Sequence, residues 1–509
     1  MKSILFLLTV LCCLTGVTMA GFSVEFGMRD GTFYVHSDEG FSYHQNRVMR
    51  GGRLSLRCIH YAKRRCRGRA SVDPEGRDFH PGVHRHNHDR DWNIKHVRRF
   101  RSFVLQECRK RENGNESLRE IYHRVRRDLR CPRQSIISLH FTKLRPSMDR
   151  ARSTLLPNIP HTLSELADIL EQDQYEFLTK TLDEEDNIYL GKFGQSSTRT
   201  RVLIFASHRA IQYLNSGQVH TAFSDGTFST VPAALKGQCA QIWSIIAIRR
   251  HHVLPLVRVL MQSKTQPCYE AALRALKDVA PNFRPQKVMA DFEMAQANAW
   301  EAVFPNVDLD GCLFHSSKDI AGKAKEMGLT VLIRDNEDVD SLVRRLCALA
   351  LLPYGHAGEP IFEGLASVAA SAVDLGFWPD LENLFTYVSS TWLIPSRLRM
   401  FSVYRCPHRT NNGCESSNAA LRREFKTDHP VTWVFLYALN NLEDITAFDI
   451  EVLDGGFDAS SARRTSALAN DAALRGHYAD LDEGNIDVNT FLIRASRRLQ
   501  NVYDMILHL

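Results

Sequence analysis

The sequence is poor in the features that mark disulfide-rich, repetitive or highly charged proteins. Its 12 cysteines are scattered over 509 residues, too thinly for the dense disulfide framework of small secreted domains. No internal repeat or low-complexity tract is evident, which argues against a solenoid of stacked repeats. Apolar residues make up 44% of the chain and charged residues 24%, as in an ordinary globular protein. This length then indicates two or more domains.

Long apolar runs are also lacking after residue 20. The first twenty residues, MKSILFLLTVLCCLTGVTMA, combine a lysine, a continuous apolar run and small residues at Thr18 and Ala20. This pattern is typical of a secretory signal peptide and is too short for a spanning helix. The alternatives are an apolar segment without a targeting role and a wrongly joined first exon. No stable membrane association is expected.

The net charge of +6 is small, but the basic residues are unevenly distributed. Arginine-rich runs such as HVRRFRSF and RVRRDLRCPR lie in the first third of the chain. A local basic face fits a polyanionic partner, although a solvated helix face has the same pattern.

A group of cysteines and histidines near the N-terminus has the composition of a zinc site. Cys58 and Cys66 lie eight residues apart, and His84, His86 and His88 follow at alternate positions. Two thiolates and two imidazoles suit tetrahedral Zn²⁺, which would stabilise a segment with little core of its own. The alternatives are surface histidines with two free thiols, and a disulfide if the chain is exported.

The order GFSYHQNR, LRCIHYAKRRCRGR and HNHDRD resembles a FLYWCH-type zinc finger. The residues at the matching places are Phe41, Tyr43, Cys58, Tyr61, Cys66, Arg69, His86, His88 and Asp89. Leu56 stands where the family pattern has a tryptophan. The resemblance implies that Cys58, Cys66, His86 and His88 bind Zn²⁺ and leaves His84 as a spare histidine.

Two acids stand at the ends of strand-like runs in the middle of the chain. The apolar patterns between residues 219 and 315 predict the element order β-β-β-α-β-α-β, which is the order of an RNase H-like fold. Asp225 closes the first predicted strand and Asp291 the fourth, and these strands lie side by side in such a sheet. Glu415 begins a later predicted helix. Three clustered carboxylates suit the two Mg²⁺ ions of phosphodiester chemistry.

Each acid also has an ordinary structural interpretation. Asp225 precedes a glycine, as in a common turn, and Asp291 could be the N-cap of the next helix. Glu415 could be a helix N-terminal acid that interacts with the helix dipole. Glu293 competes for the place of the third acid.

Four segments resemble a MULE transposase domain, the catalytic domain of Mutator-like transposable elements. They are FSDGTFSTVP, VLPLVRVLMQSKTQPCYEAAL, VMADFEMAQANAWEAVFPNVDLDGCLFH and RTNNGCESSNAALRREF, within about residues 195 to 445. The family's two aspartates fall on Asp225 and Asp291 and its glutamate on Glu415, while its C-x-x-H falls on Cys312 and His315. Members often carry an aromatic-histidine pair shortly after the glutamate, whereas Ser416-Ser417-Asn418 follows here.

The resemblance implies a transposase that cleaves DNA and transfers strands with Mg²⁺ or Mn²⁺. The expected partners of such a transposase are the transposon ends and target DNA. A homo-oligomer is compatible with this function. Cys312 and His315 are expected to have a structural or DNA-positioning role. Arg409, Asn411 and Asn412 would contact phosphate or shape the turn before Glu415. The resemblance favours the nucleus, whereas the signal-like first twenty residues favour secretion.

Two rival interpretations belong to other functional classes. One is a transposase-derived host protein that binds DNA without cutting it, and the other is an exported protein of unknown role.

The expected fold class is α/β, with an RNase H-like mixed sheet, an α-helical insertion and a small β-rich zinc finger. The predicted segments are 1–20, possible signal peptide; 21–92, FLYWCH-type finger; 93–199, helical basic connector; 200–318, first part of the RNase H-like core; 319–404, α-helical insertion; 405–445, catalytic helix region; and 446–509, C-terminal helices.

Overall fold

A computed structural model describes most of the chain as two compact units, Met1–Pro157 and Asn158–Leu509. The described residues are 21–26, 33–49, 52–73, 78–110, 113, 116–181, 186–459, 465–499 and 502–507. The apolar segment 1–20, interpreted above as a signal peptide or an artefact, lies outside them.

The first unit opens with a six-stranded antiparallel sheet whose strands pair in chain order. The strands are β1 (Phe22–Phe26), β2 (Phe33–Ser37), β3 (Ser42–Val48), β4 (Leu54–Cys58), β5 (Arg69–Val72) and β6 (Phe79–Pro81), with a short helix α1 (Tyr61–Arg64) between β4 and β5. Alternate residues of these strands, among them Val35, Tyr43 and Leu56, form a small apolar core. Leu56 is fully buried in this core. The prediction of short strands joined by turns is confirmed.

A helical bundle follows in the same unit. Its helices are α2 (Ile94–Glu107), α3 (Leu118–Asp128), α4 (Arg133–Ile136) and α5 (Phe141–Ser153). Phe100 and Val104 of α2, Ile121 of α3 and Met148 of α5 form its core. Arginines on other faces of the helices are exposed, among them Arg99, Arg101, Arg119 and Arg127. Ser117 begins α3 with a capping box, because its hydroxyl accepts the Glu120 N–H and the Glu120 carboxylate accepts the Ser117 N–H.

The second unit is built on a seven-stranded mixed sheet in the order β13-β12-β9-β10-β11-β8-β7. Its strands are β7 (Tyr189–Phe193), β8 (Val202–Phe205), β9 (Thr221–Thr227), β10 (Gln241–Arg249), β11 (His252–Met261), β12 (Lys287–Ala290) and β13 (Asp308–Gly311). The strands β9, β12 and β13 run parallel, and the remaining neighbours are antiparallel. The predicted order β-β-β-α-β-α-β is confirmed from β9 to β13, with the first and fourth of these strands as neighbours.

Continuous apolar runs produce the central strands of this sheet. The run QIWSIIAIR of β10 and most of β11 are buried, because helices cover the sheet. These helices include α7 (His208–Asn215), α8 (Gln266–Val279) and α9 (Met294–Val303), and the short helix α6 (Leu163–Leu170) precedes the sheet. The predicted helical connector 93–199 differs at its end, since YLGKF forms the edge strand β7. All five residues of β7 have intermediate exposure, because the strand lies at the edge of the sheet. Such a strand has no clear alternation of apolar and polar residues in its sequence.

The region after β13 is helical. It contains α10 (Leu313–Glu326), α11 (Thr330–Asp335), α12 (Glu337–Ala348), α13 (Glu359–Asp374), α14 (Trp378–Thr391) and α15 (Pro395–Phe401). Helices from the chain's end, α18 (Thr465–Asp482), α19 (Val488–Ser496) and α20 (Val502–Leu507), complete the same core through side chains such as Tyr478, Phe491 and Ile506. The insertion and the C-terminal helices are therefore one packed body.

Two helices, α16 (Asn412–Phe425) and α17 (Thr432–Asp454), return the chain to the sheet. Glu443 of α17 is fully buried and forms an ion pair with Arg258 of β11, itself 2% exposed. The Glu443 carboxylate also accepts the backbone N–H of Ser207 at 3.2 Å. Among the described residues, no helix has both the length and the apolar character needed to cross a membrane.

Candidate functional site

Strand pairing brings Asp225 and Asp291 to one edge of the mixed sheet. β12 runs parallel to β9 with Ala290 opposite Ser224, and Asp225 and Asp291 are the next residues along the chain after this pair. Asp225 lies within β9 and not in a turn. Asp291 directly follows β12, and the N-cap position of α9 belongs to Glu293. The two carboxylates are close enough for the charge of Asp291 to act on Asp225.

Asp225 is buried and held by two hydrogen bonds. Its Oδ1 accepts the backbone N–H of Gly226 at 2.7 Å, and its Oδ2 accepts the Nδ2–H of Asn418 at 2.8 Å. Burial, together with the negative charge of Asp291, raises the pKa of Asp225 to about 7. A bound cation would relieve both effects, since it would compensate the buried negative charge.

Asp291 lies against a histidine of helix α10. The Nδ1 of His315 is 2.7 Å from the Oδ1 of Asp291. Both atoms are buried. Burial lowers the pKa of His315, but contacts with Asp291 and Cys312 outweigh it and raise the pKa to about 11. The imidazolium therefore neutralises part of the acidic charge.

The segment before Glu415 is fixed to both β9 and α10. The backbone N–H of Asn411 donates to Cys312 Sγ at 3.1 Å, and its side-chain Nδ2 donates to the carbonyl of Ser224 at 3.3 Å. The N–H of Leu313 donates to the carbonyl of Arg409 at 2.9 Å. Cys312 is buried at the N-cap of α10. These contacts set the start of α16 beside the strand that carries Asp225.

Glu415 lies in the first turn of α16, one helical turn before Asn418. Residues three apart share a helix face, so Glu415 is on the side of α16 that touches Asp225 through Asn418. Its carboxylate is half-buried and has no hydrogen bond or ion pair with the described residues. Its position also lets it interact with the helix dipole.

Other candidates have protein partners of their own. Glu293 accepts the Tyr269 hydroxyl at 3.0 Å and lies 3.8 Å from the Lys264 ammonium. Arg409 forms an ion pair with Asp471 at 2.5 Å, and Asn412 is exposed at the start of α16. The sequence shows Asn418 only as part of the Ser-Ser-Asn that follows Glu415 and predicts no role for it. Its spacing from Glu415 is the only signal that could have indicated it.

The donor set of this edge suits a divalent cation. Asp225, Asp291 and Glu415 offer carboxylate oxygens, the ligands that Mg²⁺ and Mn²⁺ prefer. Asp225 and Asp291 bring two negatively charged groups together at this edge, and Glu415 is unengaged among the described residues. The residues therefore fit such an ion.

The cysteines and histidines of the first unit form a compact group. The ligand atoms of Cys58, Cys66, His86 and His88 all lie within 4.8 Å of one another. His88 Nε2 is 3.1 Å from Cys58 Sγ, and His86 Nδ1 is 3.3 Å from Cys66 Sγ and 3.2 Å from His88 Nε2. Tetrahedral zinc bond lengths place neighbouring ligand atoms about 3.3 to 3.8 Å apart, so this group can bind zinc.

Neighbouring groups orient these four side chains. The Tyr43 hydroxyl is 2.9 Å from His86 Nε2, and the ring of Phe41 stacks on His86 with 3.8 Å between centroids. His88 Nδ1 is 2.9 Å from the carbonyl of Asp89, and the N–H of Gly68 donates to Cys66 Sγ at 3.4 Å. Such partners fix the tautomer and orientation of metal-binding residues.

Gly68 is in addition a position where no side chain fits. A Cβ placed there would lie 2.3 Å from His86 Cε1 and 2.6 Å from its Nδ1. His84 is exposed and lies outside the group, as the sequence predicted for a spare histidine.

A scan against protein-family models matches residues 221–319 to the MULE transposase domain. The matched span runs from the start of β9 into α10, so it contains Asp225, Asp291, Cys312 and His315. It is shorter than the span of about 195 to 445 expected from sequence, and Glu415 lies outside it. Comparison of the chain with curated proteins gives no significant match. The family match indicates a transposase-type function, and proteins with this domain generally bind DNA.

Proposed function

We propose that the second unit is a metal-dependent DNA transposase of the Mutator-like type with an RNase H-like fold. The observation that carries the proposal is the meeting of Asp225 and Asp291 on neighbouring parallel strands within the MULE match. The strand order from β9 to β13 supports the fold assignment, because three antiparallel strands precede two parallel ones. The attachment of Asn418 to Asp225 supports the inclusion of Glu415, which lies on the same helix face.

Asp225, Asp291 and Glu415 would hold the Mg²⁺ or Mn²⁺ ions and would not themselves attack DNA. When bound, the ions activate the attacking oxygen and stabilise the leaving oxygen of a phosphodiester. In the first reaction, water breaks a P–O bond at an element end and leaves a free 3′-hydroxyl. In the second, that hydroxyl attacks a phosphodiester of the target and displaces its 3′-oxygen.

The protein residues around the acids prepare them for this role. Asn418 and the Gly226 N–H each hold one oxygen of Asp225, so the direction of this carboxylate is fixed. His315 holds Asp291 through the ion pair at 2.7 Å. Because these carboxylates are already positioned, no free energy is spent on reorienting them when the substrate binds.

The first unit would provide DNA binding through a FLYWCH-type finger. Cys58, Cys66, His86 and His88 would bind the Zn²⁺ that stabilises the small sheet. The outward arginines of α2 and α3 would add contacts to phosphates, so that affinity falls steeply as salt rises. The nucleus is the compartment that this function requires.

Nicking of a DNA duplex in the presence of Mg²⁺ or Mn²⁺ tests the proposal. We expect the wild-type chain to nick and Asp291→Asn to lose about 10³-fold or more of the rate, because metal ligation contributes several kcal/mol to the transition state. Asp308→Asn, in β13 and paired with Arg399 at the surface, is the matched control and should nick as the wild type does.

Equal background cleavage by the wild type and Asp291→Asn would contradict the enzymatic proposal. In that case DNA binding without nicking would favour the transposase-derived DNA-binding protein as the alternative.

A further inference from the structure

One face of the six-stranded sheet carries a transverse row of basic and aromatic side chains. Tyr34 of β2 is opposite His44 of β3, His44 is opposite Arg57 of β4, and Arg57 is opposite Arg69 of β5. Directly opposed residues of antiparallel strands project from the same face. The other face holds the apolar core that includes Val35. The row is therefore on the polar side of the sheet.

Two arginines of this face lie over tyrosine rings. Arg98 of α2 has its guanidinium carbon 4.0 Å from the ring centre of Tyr34. Arg57 lies in the same way over Tyr61, at 4.2 Å. Stacking uses the flat face of a guanidinium and leaves the N–H groups at its edge available to an acceptor. The tyrosines thus fix the direction of two forked donors.

Neither guanidinium has an acidic partner among the described residues. The Nε of Arg57 and the Nε of Arg98 are both buried without an acceptor. Arg53, the residue before β4, differs because it pairs with Asp78 at 3.1 Å. Burial and the positive charges of Arg57 and Arg98 lower the pKa of His44. The field beside His44 is therefore positive, while the carboxylate at the β1 end of the row, Glu25 opposite Tyr34, is paired with His36 at 3.1 Å.

The shape of the row favours an extended anion over a single ion. Neighbouring strands are about 4.8 Å apart, so the distance from β2 to β5 is about 14 Å. A DNA strand carries one phosphate charge for every ~3.4 Å of helix axis and could place several charges along this distance. Guanidinium forks bind phosphate oxygens in pairs, which matches the donors that Arg57 and Arg98 present.

We propose that Arg57 and Arg98, held on Tyr61 and Tyr34, bind the phosphate backbone of duplex DNA. This inference rests on the proposed function, since it names the part of the first unit that contacts DNA. Backbone contacts of this kind position a protein on the duplex and carry no sequence information of their own. Base recognition would come from other residues.

Fluorescence anisotropy of the full chain with a labelled mixed-sequence duplex, at a series of salt concentrations, tests the inference. We expect Arg57→Gln/Arg98→Gln to bind about 10-fold more weakly near 0.15 M salt and to lower the slope of log affinity against log salt by about two. Arg53→Gln removes the same kind of charge just before β4, but from an arginine that is already paired. We expect it to change affinity by less than about 2-fold.

Zinc content and circular dichroism establish that each variant is folded. Arg57→Lys/Arg98→Lys keeps the charges and removes the forks, so it should retain the salt slope and lose about 3-fold in affinity. If the glutamine variant does not fold, the lysine variant decides the outcome. Wild-type DNA affinity in the lysine variant would then contradict the inference.

The remaining outcomes separate this inference from the proposed function. Wild-type DNA binding with unchanged affinity and slope in the folded glutamine variant overturns the assignment of Arg57 and Arg98 and leaves DNA binding intact. Absence of binding by the wild type overturns both. Displacement of the duplex by polyglutamate as readily as by unlabelled duplex would show a general site for acidic chains and would also overturn the inference.

Discussion

The two candidate metal centres differ in how the chain assembles them. The sulfur and nitrogen atoms of Cys58, Cys66, His86 and His88 come from one short stretch and lie within 4.8 Å of one another. The carboxylates come from residues 225, 291 and 415, and Glu415 has no protein partner among the described residues. A closed set of four soft ligands is typical of structural zinc, whereas an open set of oxygens leaves room for water and substrate. The comparison distinguishes a group with the composition of a structural zinc site from one with the composition of a catalytic Mg²⁺ site.

Removal of zinc should have the largest effect and should be confined to the first unit. The small sheet has few apolar residues, so loss of a structural ion would remove on the order of 10 kcal/mol of folding free energy. Hydrogen exchange after chelation should therefore show loss of protection in β2 to β5 and unchanged protection in β10 and β11.

Cys58→Ser should reproduce this effect without a chelator. The matched control is Cys131→Ser, a half-buried thiol of the same unit that lies outside the ligand group. Protection of β2 to β5 that survives both chelation and Cys58→Ser would contradict a structural role for the ion.

The second unit should depend on packing and on its buried ion pair instead of a metal. Glu443→Gln leaves the buried Arg258 guanidinium without its counter-charge, and we expect a loss of about 3 to 5 kcal/mol in unfolding free energy. Glu451→Gln on the same helix breaks the exposed pair with Arg209 and should cost about 1 kcal/mol or less. Denaturant unfolding of both variants measures the difference, and equal losses would refute the distinction.

Gly68→Ala should weaken zinc binding by Cys58, Cys66, His86 and His88. The added methyl group would displace His86, whose ring atoms occupy the space at 2.3 to 2.7 Å. We expect zinc affinity to fall about 10- to 100-fold, as for other changes around metal ligands. Competition with a chromophoric chelator gives the affinity, and Gly476→Ala tests glycine loss where nothing lies within 4 Å and no positive φ is needed. An unchanged zinc affinity would remove Gly68 from the description of the site.

Asn418→Ala should have the smallest effect, since it removes a residue that only positions Asp225. One hydrogen bond at 2.8 Å would be lost, and we expect about a 10-fold slower nicking rate with an unchanged fold. Asn441→Ala, which loses a long contact to Glu424 at 3.4 Å, serves as control. If both variants nick at the wild-type rate, Asn418 does not position the acid.

The meeting of Asp225 and Asp291 could be predicted because it follows from strand order. The strand-length apolar runs and the helix-like segments between them define the order, and parallel pairing then aligns the two residues. The zinc group could be predicted because its ligands are local and chemically distinctive.

The partners of these residues could not be predicted, because they depend on contacts between distant parts of the chain. The ion pair of His315 with Asp291 depends on the way α10 packs against the sheet. The Asn418 contact depends on an approach of α16 to β9 across almost two hundred residues. Likewise, nothing in the sequence indicates that Phe491 and Ile506 pack into the core of the helical insertion. Tertiary packing decides such contacts, and local patterns do not record it.

Binding of Mn²⁺ to the zinc-loaded full chain tests most directly whether Asp225, Asp291 and Glu415 form one site. Titration calorimetry should detect Mn²⁺ binding to the wild type. Asp225→Asn, Asp291→Asn and Glu415→Gln should each weaken it about 10-fold or more, while Glu293→Gln should leave it unchanged. Wild-type Mn²⁺ affinity in Glu415→Gln would contradict the three-acid site and would restrict the centre to the two aspartates.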